Sequence, residues 1–154
     1  MKYTPLLLIV LVCISVACNR ALVVQNVNYS QSLESVLTPD ETGTVTDVRY
    51  GLSFNILPLQ FEEHQDTSST NIDKVRLIRN KEGFYFITAQ GFKHVYVMEP
   101  KANALKLKKK VLVSEQGLLA PAFNQRPAYI QLLDTATSQV YNLNQKGMYK
   151  EEKS

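Results

Sequence analysis

The sequence contains no tryptophan and only two cysteines, and both cysteines lie near its start, at Cys13 and Cys18. No cysteine follows residue 18, so the rest of the chain must rely on a hydrophobic core rather than on internal disulfides. Charge of one sign is also scarce, because 17 basic and 14 acidic side chains leave a net charge of only +3. Nucleic-acid binding requires a stronger basic footprint, and we expect no nucleic-acid partner.

Long apolar runs are absent after residue 17. The one apolar run, residues 6–16, reads LLLIVLVCISV and has Ser15 as its only polar residue. As a helix rising about 1.5 Å per residue, it would cover roughly half of a hydrocarbon core about 30 Å thick. It follows the positive charge of Lys2. These features predict an export signal over residues 1–17 rather than a membrane-spanning helix.

The residues that follow the apolar run define the predicted cleavage site. Ser15, Val16 and Ala17 stand directly before Cys18, and this tetrapeptide resembles the lipobox of bacterial lipoproteins, with serine where leucine is commonest. The resemblance implies that Cys18 becomes the first mature residue and carries a thioether-linked diacylglycerol. The small residues Ser15 and Ala17 also fit an ordinary secretory site. Asn19 in place of an aspartate favours the outer membrane of the cell envelope.

The mature chain is expected to hold one domain. Residues 18–44 are predicted to be a lipid-anchored tether with a possible first strand at 21–24, and residues 45–154 to be the folded domain. Leu33, Val36 and Leu37 have helical spacing. The clearest pattern spans residues 48–56, where apolar and polar residues alternate, and it predicts a half-buried strand. Its apolar members are Val48, Tyr50, Leu52, Phe54 and Ile56.

Short apolar segments bounded by turn residues continue to the end of the chain. They predict strands at residues 74–79, 84–89, 94–98, 105–113, 128–133 and 139–143. The polar residues 62–72 and the glycine- and proline-containing residues 114–127 are predicted to be loops. Many short strands without a long helical pattern predict an all-β fold, either an antiparallel sandwich or a small barrel, built of hairpins and a meander.

Motifs of common enzymes are missing. The chain has no G-x-S-x-G elbow, no H-E-x-x-H helix and no glycine-rich phosphate loop. Its densest set of possible metal ligands comprises Glu62, Glu63, His64 and Asp66. Such side chains suit a hard or borderline divalent ion, but neighbours on a flexible loop seldom converge on one ion. We therefore expect a solvated loop, no metal and no cofactor. His94, the second histidine, is predicted to begin a strand.

One basic cluster and one set of aromatic residues offer possible contact surfaces. On the strand predicted at 105–113, Lys106, Lys108 and Lys110 should share a face. Lysines of this kind commonly protect a sheet edge from pairing with another chain, and the alternative is a contact surface for anionic envelope polymers or lipid headgroups. The aromatic residues could form a carbohydrate platform; they are Phe84, Tyr85, Phe86, Phe92, Tyr96, Tyr129 and Tyr141.

These observations favour a non-catalytic accessory or binding module that a lipid anchor holds at the membrane surface. Its partner would be an envelope protein or polysaccharide. The alternative is a small envelope hydrolase acting on cell-wall or exported polymers, which would need a carboxylate pair or a histidine dyad that only the fold can reveal. A third interpretation is docking with other β-chains through an exposed strand.

Overall fold

The computed structural model describes residues 33–126 and 128–150. The predicted signal at 1–17, Cys18 and the possible strand at 21–24 lie outside these residues. The described elements are β1 Ser35–Leu37, β2 Thr44–Asp47, β3 Leu52–Asn55, α1 Leu57–His64, β4 Val75–Arg79, β5 Tyr85–Ala89, β6 His94–Lys101, β7 Ala104–Leu112, β8 Pro121–Gln125, β9 Ile130–Asp134, β10 Gln139–Asn144 and β11 Gly147–Met148. Within the described ranges, no helix has the length and apolar character needed to cross a bilayer.

The strands form two main sheets and one separate hairpin. The five-stranded sheet has the order β1-β4-β5-β6-β7, the four-stranded sheet has the order β11-β10-β9-β8, and β2 pairs with β3. Every pairing is antiparallel. The four-stranded sheet covers one face of the five-stranded sheet, with β8 against β4 and β11 against β7. The predicted all-β antiparallel fold is confirmed, as a sandwich rather than a closed barrel.

The five-stranded sheet is buried on both faces. Between the two sheets, Ile78, Phe86 and Val97 pack with Ile130 and Leu132. On the opposite face, the β2–β3 hairpin and the start of α1 supply Val45 and Ile56, which pack against Leu77, Ile87 and Tyr96. Every residue of β5 is buried as a result. This explains why four of its five residues are apolar rather than alternating with polar ones, and the exception, Thr88, donates its hydroxyl to the His94 carbonyl.

The predicted strand over residues 48–56 is wrong in its first half. The chain reverses there, because the Asp47 carboxylate accepts the backbone N–H of Arg49 at 2.9 Å and Gly51 adopts a φ of +62°. Val48 lies on the turn and is 90% exposed. The apolar members from Tyr50 to Ile56 do pack against the core on the helix side, but regular strand alternation is confined to β3.

Three further expectations need correction. The segment with helical spacing at Leu33–Leu37 is the edge strand β1, paired with β4, so this part of the predicted tether belongs to the sheet. The predicted loop at 62–72 begins inside α1, which has Pro58 in its first turn and ends at His64, before Gln65 in a left-handed conformation. The predicted loop at 114–127 contains β8. That strand begins with Pro121 and lies at a sheet edge, where proline is tolerated.

The sandwich has two ends, which we distinguish by the turns that lie at each. At the entry end lie the turns at 80–83, 102–103 and 145–146, together with Leu33, where the described part of the chain begins. Arg49 holds that start by donating to the Leu33 carbonyl at 2.8 Å. At the distal end lie the turns at 38–43, 90–93 and 135–138, and the segment 113–120. The functional features differ between these two ends.

Candidate functional site

A buried glutamate joins helix α1 to the five-stranded sheet. The Glu63 side chain is only 1% exposed. Its Oε1 accepts hydrogen bonds from the Tyr96 hydroxyl at 2.6 Å and from His94 Nδ1 at 2.9 Å, and its Oε2 accepts the backbone N–H of Lys93 at 2.8 Å. We call Glu63, His94 and Tyr96 the Glu63 cluster.

The hydrogen bonds fix the charge state of the Glu63 cluster. Burial by itself raises the pKa of Glu63, but the donors Tyr96, Lys93 N–H and His94 together lower it more, so the pKa lies below its ordinary value. Burial and the hydrogen bond to Glu63 raise the pKa of Tyr96. At neutral pH the cluster therefore contains an ionised carboxylate and a neutral tyrosine, and this carboxylate has no proton to donate as a general acid.

The pairing of Glu63 with His94 provides the histidine dyad that hydrolysis would need. A carboxylate that accepts from one ring nitrogen orients the imidazole, and the other nitrogen can then serve as a base for a neighbouring nucleophile. The His94 side chain is 21% exposed. However, in the part of the chain that the structure describes, no serine, threonine or cysteine side chain hydrogen-bonds to the His94 ring. The cluster as it stands connects a helix to a sheet.

The four acidic and histidine residues considered as metal ligands point to different partners. Glu62 pairs with Lys110 at 2.9 Å, Glu63 belongs to its own cluster, and the His64 ring packs edge-on against Phe92. Asp66 accepts hydrogen bonds from the Ser68 N–H and hydroxyl and from Asn71. Helix α1 separates consecutive side chains by about 100°. Across residues 33–126 and 128–150, no three histidine, cysteine or acidic side chains are grouped as metal ligands.

The three lysines predicted to share a face of β7 do not share it. The register of β6 with β7 shifts at Val97 and Met98, where Lys108 is the extra residue. A bulge of this kind resets the alternation of side chains. Lys110 consequently lies over the Tyr96 ring at 5.7 Å, on the helix side, whereas Lys108 lies over Phe84 at 4.9 Å, on the side of the other sheet. β7 is nevertheless an edge strand, as the edge-protection interpretation requires.

A groove of about 410 Å³ opens at the distal end. We call it the distal groove. Its walls come from the segment that follows β7 and from the β9–β10 hairpin, and its lining includes Ser114, Glu115, Gln116, Leu119, Thr137, Gln139 and Tyr141. The lining therefore offers amide and hydroxyl groups, one aromatic ring and the carboxylates of Glu115 and Asp134, the second of which is buried. These groups suit a polar ligand with hydroxyl or amide groups, such as a glycan or an extended peptide.

The walls of the distal groove are held by backbone interactions. The carboxylate of Asp134, 2% exposed, accepts the N–H groups of Leu119 at 2.9 Å and Ala120 at 3.0 Å. Burial raises the pKa of Asp134, but these backbone donors lower it further, so it stays ionised. Gly117 has a φ of +85°, and a Cβ there would lie 2.7 Å from the Gly91 carbonyl oxygen. Only glycine fits this approach between two distal turns.

Most of the aromatic residues considered for a carbohydrate platform are unavailable. Tyr85, Phe86, Phe92 and Tyr96 are buried in the two cores, and Phe84 packs partly buried against the core between the sheets. Tyr129 stacks on Tyr149 with ring centroids 5.0 Å apart. Tyr141 lies in the distal groove, where burial and the charge of Asp134 raise its pKa. A flat aromatic platform is absent from this set, and one tyrosine reaches a groove.

No protein-family model, curated protein or solved structure matches this chain.

Two features of the distal end were not predicted from the sequence. Glu63 meets partners about thirty positions away, and no local spacing indicates such contacts. The distal groove is formed by a segment predicted to be an irregular loop and by a separate hairpin, and its only local signal is the pair of turn-forming segments.

Proposed function

We propose that this chain is a lipid-anchored, non-catalytic binding module of the bacterial cell envelope. Cys18 would carry the anchor in the outer membrane, and the distal groove would bind an envelope protein or polysaccharide. The observation that carries the proposal is the position of the distal groove, at the end opposite to the one where the chain enters the sandwich. A ligand bound there is clear of Leu33, where the described part of the chain begins.

The physical chemistry of the anchor supports this arrangement. Each buried CH₂ of an acyl chain contributes about 0.8 kcal/mol, so a diacylated cysteine stays in its membrane. Fully extended, residues 18–33 would span at most about 50 Å. A module on such a tether stays within a thin layer beside the membrane. This raises its effective concentration toward any partner fixed in the same layer.

The chemistry of the distal groove supports binding to a polar polymer. Glu115, Gln116 and Gln139 can exchange hydrogen bonds with hydroxyl or amide groups, and Tyr141 offers a ring face. The walls are fixed by Asp134 and Gly117, so a ligand would bind to a preformed surface and little ordering entropy would be lost.

Site-specific crosslinking in living cells tests the proposal. A photocrosslinking residue at Gln139 or Gln116 should give a defined adduct, and Tyr141→Ala should weaken that adduct. The matched control is the same crosslinker at Lys146, an exposed residue of the entry end. Groove positions that give no adduct, or the same adducts as Lys146 regardless of Tyr141, would contradict a binding role for the groove.

The hydrolase alternative rests on the Glu63–His94 pair. It would use His94 Nε2 as a base toward a substrate on the helix side of the sheet. Incubation of the protein with cell-wall polymers separates the two proposals. Release of fragments that disappears with His94→Ala would establish the hydrolase, whereas no release by the wild type leaves the binding role.

A further inference from the structure

The two ends of the sandwich carry opposite charge. Turns and strand ends at the entry end present five lysines, which are Lys81, Lys101, Lys106, Lys108 and Lys146. The acidic residues at this end are Glu34, Asp47, Glu82 and Glu99, of which Glu34 pairs with Arg76 and Asp47 is buried. The distal end instead presents Asp40, Glu41, Asp66, Asp73 and Glu115, which outnumber the lysines there, Lys74 and Lys93. The chain as a whole is close to neutral, so this separation is a property of the fold rather than of the composition.

The β6–β7 hairpin projects from the entry end. The last pair between β5 and β6 joins Tyr85 to Met98, while β6 and β7 continue to pair as far as Lys101 and Ala104. At about 3.3 Å per residue, the tip extends roughly 10 Å beyond β5. The tip therefore extends past the first residue of β5, on the side where the turn at 80–83 also lies.

The hairpin tip combines an excess of positive charge with apolar side chains. Three lysines surround the single carboxylate of Glu99: Lys101 pairs with it at 2.9 Å, Lys106 is its cross-strand neighbour, and Lys108 lies over the Phe84 ring. Leu107 stands between Lys106 and Lys108 and is 47% exposed, and Ala102 and Ala104 are exposed at the tip. Lysines interleaved with exposed apolar residues are typical of surfaces that lie on anionic lipid headgroups.

We propose that the entry end, led by the β6–β7 hairpin, lies on the anionic headgroups of the membrane in which the protein is anchored. This inference rests on the proposed lipid anchor and adds an orientation to it. A tether of up to about 50 Å would allow either end of the sandwich to approach the membrane. The charge separation favours the entry end, because the headgroups attract its lysines and repel the acidic distal end. The distal groove then faces away from the bilayer.

Fluorescence quenching on vesicles tests this orientation. The protein isolated from its native membranes is reconstituted into vesicles of phosphatidylcholine, alone or mixed with phosphatidylglycerol, that contain headgroup-nitroxide lipids. A fluorophore is attached through Ala102→Cys at the entry end or Gln90→Cys at the distal end. We expect phosphatidylglycerol to increase quenching of the probe at residue 102 but not at residue 90, and high salt to reverse the increase.

Variants of matched charge identify the lysines responsible. Each lysine near an anionic surface strengthens association by about fivefold. The triple change Lys101→Gln, Lys106→Gln and Lys108→Gln should therefore abolish the added quenching. The control triple, Lys74→Gln, Lys93→Gln and Lys110→Gln, lowers the net charge equally at the distal half and should preserve it.

Flotation of the vesicles distinguishes failure of the proposed orientation from failure of the proposed lipid anchor. Protein that floats with the vesicles but shows equal quenching at both ends, or no response to phosphatidylglycerol, would overturn the orientation and leave the anchor intact. Protein that fails to float would remove the lipid anchor and this inference with it. Equal effects of the two lysine triples would likewise overturn a specific role for the hairpin.

Discussion

At the scale of single residues, Glu63 is the side chain on which the attachment of helix α1 to the sheet depends most. Its carboxylate is bonded to two side chains of β6 and to the backbone that precedes them. No other contact between α1 and the sheet includes a buried charge with three donors among the described residues. The attachment of the helix should therefore depend on the ionised form of this one group.

We predict that Glu63→Gln lowers the free energy of unfolding at neutral pH by about 1–3 kcal/mol, because charge-assisted hydrogen bonds in a buried site are lost. The pKa of Glu63 in the folded protein lies below its ordinary value of 4.5. Its stabilising contribution is therefore fully present above pH 4.5 and is lost as the pH falls through the lowered pKa.

Urea unfolding at several pH values measures this difference. The gap between wild type and Glu63→Gln should shrink on acidification below pH 4.5. Tyr96→Phe is the control, because it removes one donor but keeps the ring and the charge, and we expect a smaller loss. A gap that stays constant from neutral to acidic pH would contradict the assigned role of the Glu63 charge.

At the scale of elements, the segment after α1 is organised by one amide side chain. Gln60 is fully buried. Its Nε2 donates to the carbonyls of Asp66 at 3.0 Å and Ser69 at 2.7 Å, and its Oε1 accepts the N–H of Asn71 at 3.0 Å. The Gln60 side chain thereby supplies hydrogen-bond partners to backbone groups of a polar loop that forms no helix or strand.

We predict that Gln60→Leu destabilises the protein by about 2–4 kcal/mol, because three backbone groups lose their partner in a buried site. Gln65→Leu changes the same residue type at an exposed position of the same segment and should cost less than about 1 kcal/mol. Denaturant unfolding gives both values, and limited proteolysis should cut within residues 65–71 only in Gln60→Leu. Similar losses in both variants would contradict this role of Gln60.

The sequence predicted elements well where burial is simple and poorly where the chain reverses or inserts a residue. The strands β4, β5, β6, β7, β9 and β10 were all predicted within a few residues, because their apolar residues form compact runs between turn signals. The turn at 48–51 was missed because its residues Val48 and Tyr50 extend the alternating pattern of β3 toward the N-terminus. The bulge at Lys108 was missed because one extra residue leaves no mark on composition, yet it moves Lys110 to the opposite face.

At the scale of the whole molecule, the important properties are positional. The distal groove and the lysines of the entry end each combine residues from separate strands. Their arrangement depends on strand order, which local periodicity does not determine. The sequence could indicate the lysines and the turns, but not that the lysines and the distal groove would lie at opposite ends.

The position of the lipid anchor is the premise on which both the proposed function and the proposed orientation depend. Intact-mass and N-terminal analysis of the protein isolated from its native membranes tests that premise directly. The account predicts a mature chain that begins at Cys18 with diacylglycerol on its sulfur. A chain in which residue 18 is unmodified, or is still joined to Ala17, would contradict it.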